Sequence, residues 1–345
     1  MSTFSFKTLI NDDRTTSRTL LHESIPITGT LVSGTYNTSS TSGREQNIKT
    51  YSHGMFQSVY DYPYVSSSAN HIFDIAAGFS AATASLSSSA VTQVSKKVNM
   101  YNQMAQVLCG FDTGSNVLRF DTDGNLLSPG TDKHEDAIFF NFSRLLVKDE
   151  IKKGSFSMVV GTGATYAAPF ADKVTITDSA ASTNYKINSP AGEYGILKNG
   201  SNNVGLIFYQ AGVAMVTSSV FGATEQFTQA GLSITGSLLS SSIDEIADGV
   251  RNRIQNISFN NTTELNSSIY FCRAKHSEFN YSSNPTYLSG SKIRVKSVAE
   301  DLPRAYVTTV GLYSHDNQLL AVAKLSEPLR KDPTNELTLR VRLDY

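Results

Sequence analysis

The chain has 345 residues, a net charge of −1 and only 17% charged residues, so Ser, Thr and Asn carry much of its polar surface. The near-neutral balance, with no long basic run, excludes a general phosphate-backbone binder, and two distant cysteines, Cys109 and Cys272, exclude a disulfide framework. No stretch approaches the roughly 20 apolar residues that a bilayer span needs, so neither a nucleic-acid partner nor membrane insertion is expected. The length predicts two or three domains.

The opening MSTFSFKTLINDDR has no cationic or apolar leader pattern, which predicts synthesis and assembly in a cytoplasm. Residues 1–50 read as an extended arm. Ser24–Val32 could be a strand, whereas Thr35–Gly43 has no periodicity and no means of burying a core. Such a segment either orders on a neighbour or is a first strand followed by a loop.

Residues 51–154 read as mainly helical. Ser68 could cap a helix with Ile72, Ile75, Ala76 and Phe79 on one face. A second helix is expected from near Lys96 to Cys109, stopped by Gly110. A third is expected over Asp136–Lys153, where Ile138, Phe142, Leu145 and Leu146 form a stripe broken by Asp149. Lys152 and Lys153 would suit its C-terminal dipole, and Gly154 would end it.

Residues 155–240 turn to β, with strands at Ser157–Val160, Lys173–Thr177, Val204–Gln210 and Val213–Ser218 and a hairpin through Ala211-Gly212. Ser242-Ile-Asp-Glu245 matches a capping box, so 241–256 reads as a helical connector into a C-terminal β domain, 257–345. There, strands are expected at Ser268–Ala274, Lys292–Val298, Ala305–Tyr313, Leu319–Leu325 and Leu337–Leu343, with a polar turn at Ser314–Asn317. The closing ELTLRVRLDY alternates without a break. Leu337, Leu339, Val341, Leu343 and Tyr345 share one side; Thr338, Arg340, Arg342 and Asp344 share the other. The fold class predicted is α+β, predominantly β and multi-domain, with a helical N-terminal part and an antiparallel, sandwich-like C-terminal unit.

The chemical motifs fail one by one. From Asp121, an EF-hand would need Gly at the sixth position and Glu at the twelfth; Leu126 and Asp132 stand there, leaving a turn. Gly161-Thr-Gly163 lacks a third glycine, a phosphate-binding lysine and a following helix pattern. The six histidines show no ligand spacing, and no GxSxG elbow supports a nucleophile. No cofactor, metal or enzymatic activity is expected.

What remains is surface. The aromatic, Asn- and Ser-rich segment 278–287 and the polar strand faces of the C-terminal domain offer a candidate interface at Asn280, Ser282, Ser283, Asn284, Arg340 and Arg342. Tyr51–Tyr64 is a second tyrosine-rich stretch.

The stretches EFNYSSNPTY (278–287), YVTTVGLYSHDNQLLAVAKLSEPLRK (306–331) and the closing LRVRLDY resemble virion structural proteins of large T4-type tailed phages, cyanophages and their relatives. MYNQMAQVLCG, FNFSRLLVKDEIKKGSF, SPAGEYGILKNG and VGLIFYQAGVAMVTSSVF resemble the same group, so the likeness spans most of 50–345. It implies a virion protein present in multiple copies, with other virion subunits as partners. The expected role is a contractile-tail baseplate wedge protein that joins neighbouring subunits. The alternatives are a receptor-binding, fibre-attachment or capsid decoration protein, or an envelope hydrolase.

Overall fold

The computed structural model describes residues 6–34, 45–81, 92–126, 132–163, 165–282 and 302–345, with the backbone alone at 288–289 and 292–293. In chain order the elements begin with β1 (Arg14–Thr28), α1 (Gly29–Ser33), β2 (Ile48–Thr50), β3 (Gln57–Tyr60), β4 (His71–Phe79) and α2 (Val94–Leu108). Next come β5 (Asp136–Phe142), α3 (Arg144–Val147), β6 (Glu150–Ile151), β7 (Ser157–Gly161) and β8 (Lys173–Thr177). They continue with β9 (Lys186–Ser189), β10 (Gly192–Asn199), β11 (Asn202–Phe208), β12 (Val213–Val216), α4 (Ile234–Ser240) and α5 (Ile243–Arg253). The last are β13 (Ile254–Ala274), β14 (Leu288–Ser289), β15 (Lys292–Ile293), β16 (Ala305–Tyr313), β17 (Leu319–Lys331) and β18 (Leu337–Asp344). The chain divides into two compact units, Leu21–Thr263 and Met1–Leu20 with Glu264–Tyr345.

In the larger unit the strand order is β13-β7-β8-β10-β11-β12-β5-β4-β3-β2, with β6 added on β13 and β9 on β10. The registered pairs are antiparallel throughout. Both faces of its central strands β4, β5, β11 and β12 are dry. On one, Tyr101, Ala105 and Leu108 of α2 pack with Phe139, Leu206, Phe208 and Met215. On the other, Ile246, Ala247 and Val250 of α5 join Phe73, Ile75, Phe140 and Ile207. Ile138 and Phe140 of β5 line a common apolar gap of about 10 Å³ with Met158 and Val160 of β7 and Ile176 of β8. Strands so far apart in the order meet because the sheet curls on itself. α2 lies hard against β4 at Gly78, where a Cβ would stand 2.6 Å from the Lys97 carbonyl oxygen and 2.9 Å from the Tyr101 nitrogen.

Two dry faces explain two corrections. The segments expected as helices at 68–79 and Asp136–Lys153 are instead β4, and β5 followed by the single turn α3 and the short β6. In DAIFFNF, Ala137 and Phe139 face one core while Ile138, Phe140 and Phe142 face the other. The run Ala137–Phe140 is therefore apolar at every position, and the period of two that marks a half-buried strand disappears. Only the helix near Lys96–Cys109 exists, as α2, followed by Gly110 at φ +84°. The fold class is corrected with them. The chain is mostly antiparallel β, its described helices are short, and fourteen strands share one hydrogen-bonded order, in place of a helical N-terminal part and a sandwich.

Other expectations match the structure. The β11–β12 hairpin turns through Ala211-Gly212, with Gly212 at φ +68°. Ser242 and Glu245 form a reciprocal capping box that starts α5.

In the smaller unit, β13 from Ser267 to Ala274 pairs antiparallel with β18, and β16 pairs with β17. Ser314–Asn317 turns that hairpin, closed by the Ser314 N–H to the Gln318 carbonyl at 2.9 Å. The expected strand Lys292–Val298 falls mostly outside the described residues; β15 holds its first two positions.

Candidate assembly interface

β18 presents the alternation its sequence predicts. Thr338, Arg340, Arg342 and Asp344 are exposed, Val341 is buried, and Leu337, Leu339 and Leu343 are half-buried. Across the ladder, Arg340 stands opposite Phe271 and Arg342 opposite Ile269, so this face mixes guanidinium groups with apolar surface. Arg342 donates to Asp344 at 2.7 Å and to the Ser267 hydroxyl at 3.2 Å.

Asn280 is differently placed. It is buried; its amide donates to the His276 carbonyl at 2.6 Å and its side-chain oxygen accepts from the Lys331 ammonium at 2.7 Å. Lys331, itself buried, also donates to the carbonyl of Asp332 at 2.8 Å, and burial lowers its pKa. Next to it, Asp332 accepts from the hydroxyl and the N–H of Thr334 and from Arg330; these bonds, the hydroxyl first, hold its carboxyl at about 2. Ser282 is half-buried, while Ser283 and Asn284 lie outside the described residues. The structure thus puts Arg340 and Arg342 on one exposed face and uses Asn280 to satisfy a buried cation. The first residues of the chain engage the same unit. Lys7 pairs with Glu278 at 2.8 Å, and Asp13 with Arg273 at 3.3 Å.

The hairpin carries a surface that the sequence reading did not single out. Tyr313, Leu319, Leu320 and Val322 are each more than half exposed. The Tyr313 ring and Leu319 flank Gly311, within 2.9 and 3.4 Å of where its Cβ would be. Gly311 pairs with Val322 in register, so these residues cluster on one side near the tip. The signal lay in Leu319-Leu320, two adjacent apolar residues where a half-buried strand would alternate.

Polar groups elsewhere hold one another. Asp74 accepts from Ser58 at 2.5 Å and lies 2.7 Å from His71, so the carboxylate sits between hydroxyl and imidazole and the imidazole is not placed to activate the serine. Asp121 is buried against Lys133, and its other oxygen accepts from the Asp123 N–H at 3.0 Å, giving an Asx-type turn. Asp178 accepts from the N–H groups of Gly154 and Phe156 and from the Tyr209 hydroxyl, while desolvation raises its pKa. The Arg251 guanidinium, buried, bonds Gln57, the Val32 carbonyl and Asp248. Cys109 is buried, and desolvation pushes its thiol up to about 12, which makes it inert as a nucleophile. Among the described residues, no three His, Cys, Asp or Glu side chains are grouped to hold a metal ion, and no helix is long and apolar enough to cross a membrane.

No protein-family model matches the chain, and neither a curated protein nor a solved structure matches it.

Proposed function

We propose that the protein is a non-enzymatic structural component of a tailed-phage virion, a baseplate wedge protein that joins neighbouring subunits. The observation that carries the assembly reading is a difference in core content. Among the described residues, fifty-one buried apolar side chains belong to the larger unit and three, Ala305, Leu312 and Val341, to the smaller. Three fully buried apolar groups among the described residues supply only a small part of the hydrophobic term that offsets chain entropy. Its strands nevertheless carry apolar residues at exposed positions, which is how a surface completed by association looks. The polar clusters of the larger unit support a structural role, since their partners are one another. The virion and the baseplate enter through the resemblance of 278–287, 306–331 and the closing LRVRLDY to phage virion proteins.

Quantitative mass spectrometry of purified particles tests this reading. The protein is expected at a fixed copy number per virion and in an isolated baseplate subassembly. Its absence from washed virions contradicts the function, and its presence in virions but not in the subassembly contradicts the location.

A further inference from the structure

We propose that the outer face of the β16–β17 hairpin, formed by Gly311, Tyr313, Leu319, Leu320 and Val322, packs against the same face of a second copy of this chain. The proposal names a partner that the virion reading leaves open, and it stands on the isolated protein whether or not that reading holds.

Three observations select a second copy. The face is apolar and has no acidic residue; Lys324, paired with Thr309, lies at its margin. A face whose centre is uncharged offers little charge for a partner to complement, and under a two-fold axis an apolar patch is its own complement. The area also fits. Tyr313, Leu319, Leu320 and Val322 are 57, 53, 67 and 52% exposed, on the order of 400 Å² per copy, about half of what each partner in a stable complex buries. The strands supply further surface, because β16 and β17 pair only with each other among the described strands and so leave an open edge of nine and of thirteen residues. Finally, the described residues of the unit bury only three apolar side chains, so association adds to a small described core, and another copy of the same chain is the partner always present.

The test uses the full-length purified chain in analytical ultracentrifugation over a hundredfold range of concentration. The wild type is expected to self-associate, and the double variant Leu320→Lys, Val322→Lys to weaken that association by at least about tenfold, because it buries charge in the contact. Both positions are exposed, so circular dichroism should show an unchanged fold. A photo-reactive residue at 322 in an otherwise native chain provides an independent readout. In a mixture of isotope-labelled and unlabelled protein it should cross-link between copies to residues 311–322. A wild type that stays monomeric at every concentration overturns the proposal, as does an oligomer that the double variant leaves intact or cross-links that fall elsewhere.

Discussion

The Lys331 ammonium lies 2.7 Å from the side-chain oxygen of Asn280, and both residues are buried. Asn280 thus links the segment after β13 to the end of β17, where the sequence suggested a side chain free for a partner. Asn280→Ala removes one of the acceptors around a buried cation, and an unsatisfied group of this kind costs about 1–3 kcal/mol. The urea midpoint of the transition that reports the smaller unit should fall accordingly. An unchanged midpoint would show that the ammonium is solvated.

Asp332 makes the smaller unit sensitive to acid. Its carboxyl is held at about 2, below its ordinary 3.8, chiefly by the Thr334 hydroxyl. The folded state therefore binds this proton less tightly than the unfolded chain. The contribution is complete above about 3.8 and disappears as pH falls through 2. Asp332→Asn should flatten the loss of stability between pH 4 and 2. A variant with the wild-type acid profile would assign that loss to other groups.

Lys97 works in the opposite pH range. Its ammonium, wholly buried, donates to the carbonyls of Leu238 at 2.6 Å and Ser241 at 2.7 Å, satisfying the C-terminal end of α4. Burial lowers its pKa from 10.5 to about 8. Between those values the unfolded chain holds the proton and the folded chain has released it, so stability from this site rises with pH. Wild type should therefore gain stability relative to Lys97→Met between pH 8 and 10. A gap independent of pH would contradict the assignment.

Gly78→Ala places a methyl group against backbone atoms of α2, which cannot rotate aside. Overpacking of this kind costs about 1–3 kcal/mol, and thermal unfolding should show it as a lowered Tm.

Arg340 and Arg342 are exposed, and the ion pair of Arg342 with Asp344 is a surface pair. Replacing both arginines by Ala should move stability by less than about 1 kcal/mol. If the polar face of β18 is a docking surface in the particle, the same variant should be incorporated poorly when it replaces the wild type during phage growth. Normal incorporation would remove this face from the interface.

The strands with one wet face were legible because water imposes a period of two. β18 reads correctly from Leu337 onward and β16 over Ala305–Tyr313, while β17 was expected only to Leu325 and runs on to Lys331. β4 and β5 were not, because a sheet dry on both sides puts apolar residues at every position, as in Ile138-Phe139-Phe140. The same limit applies to the interface. Arg340 and Arg342 were placed on an exposed face by alternation alone, whereas the use of Asn280 depends on Lys331, 51 residues away. No local pattern encodes that pairing. The apolar hairpin face was present in the sequence as an interrupted alternation at Leu319-Leu320, both of which are exposed.

The most direct test is electron microscopy of intact phage particles carrying a gold label on this chain. Labels are predicted at the tail end of the particle, in a ring at the baseplate, with several copies per virion. Particles without label, or with label on the capsid alone, would contradict a structural role in the baseplate.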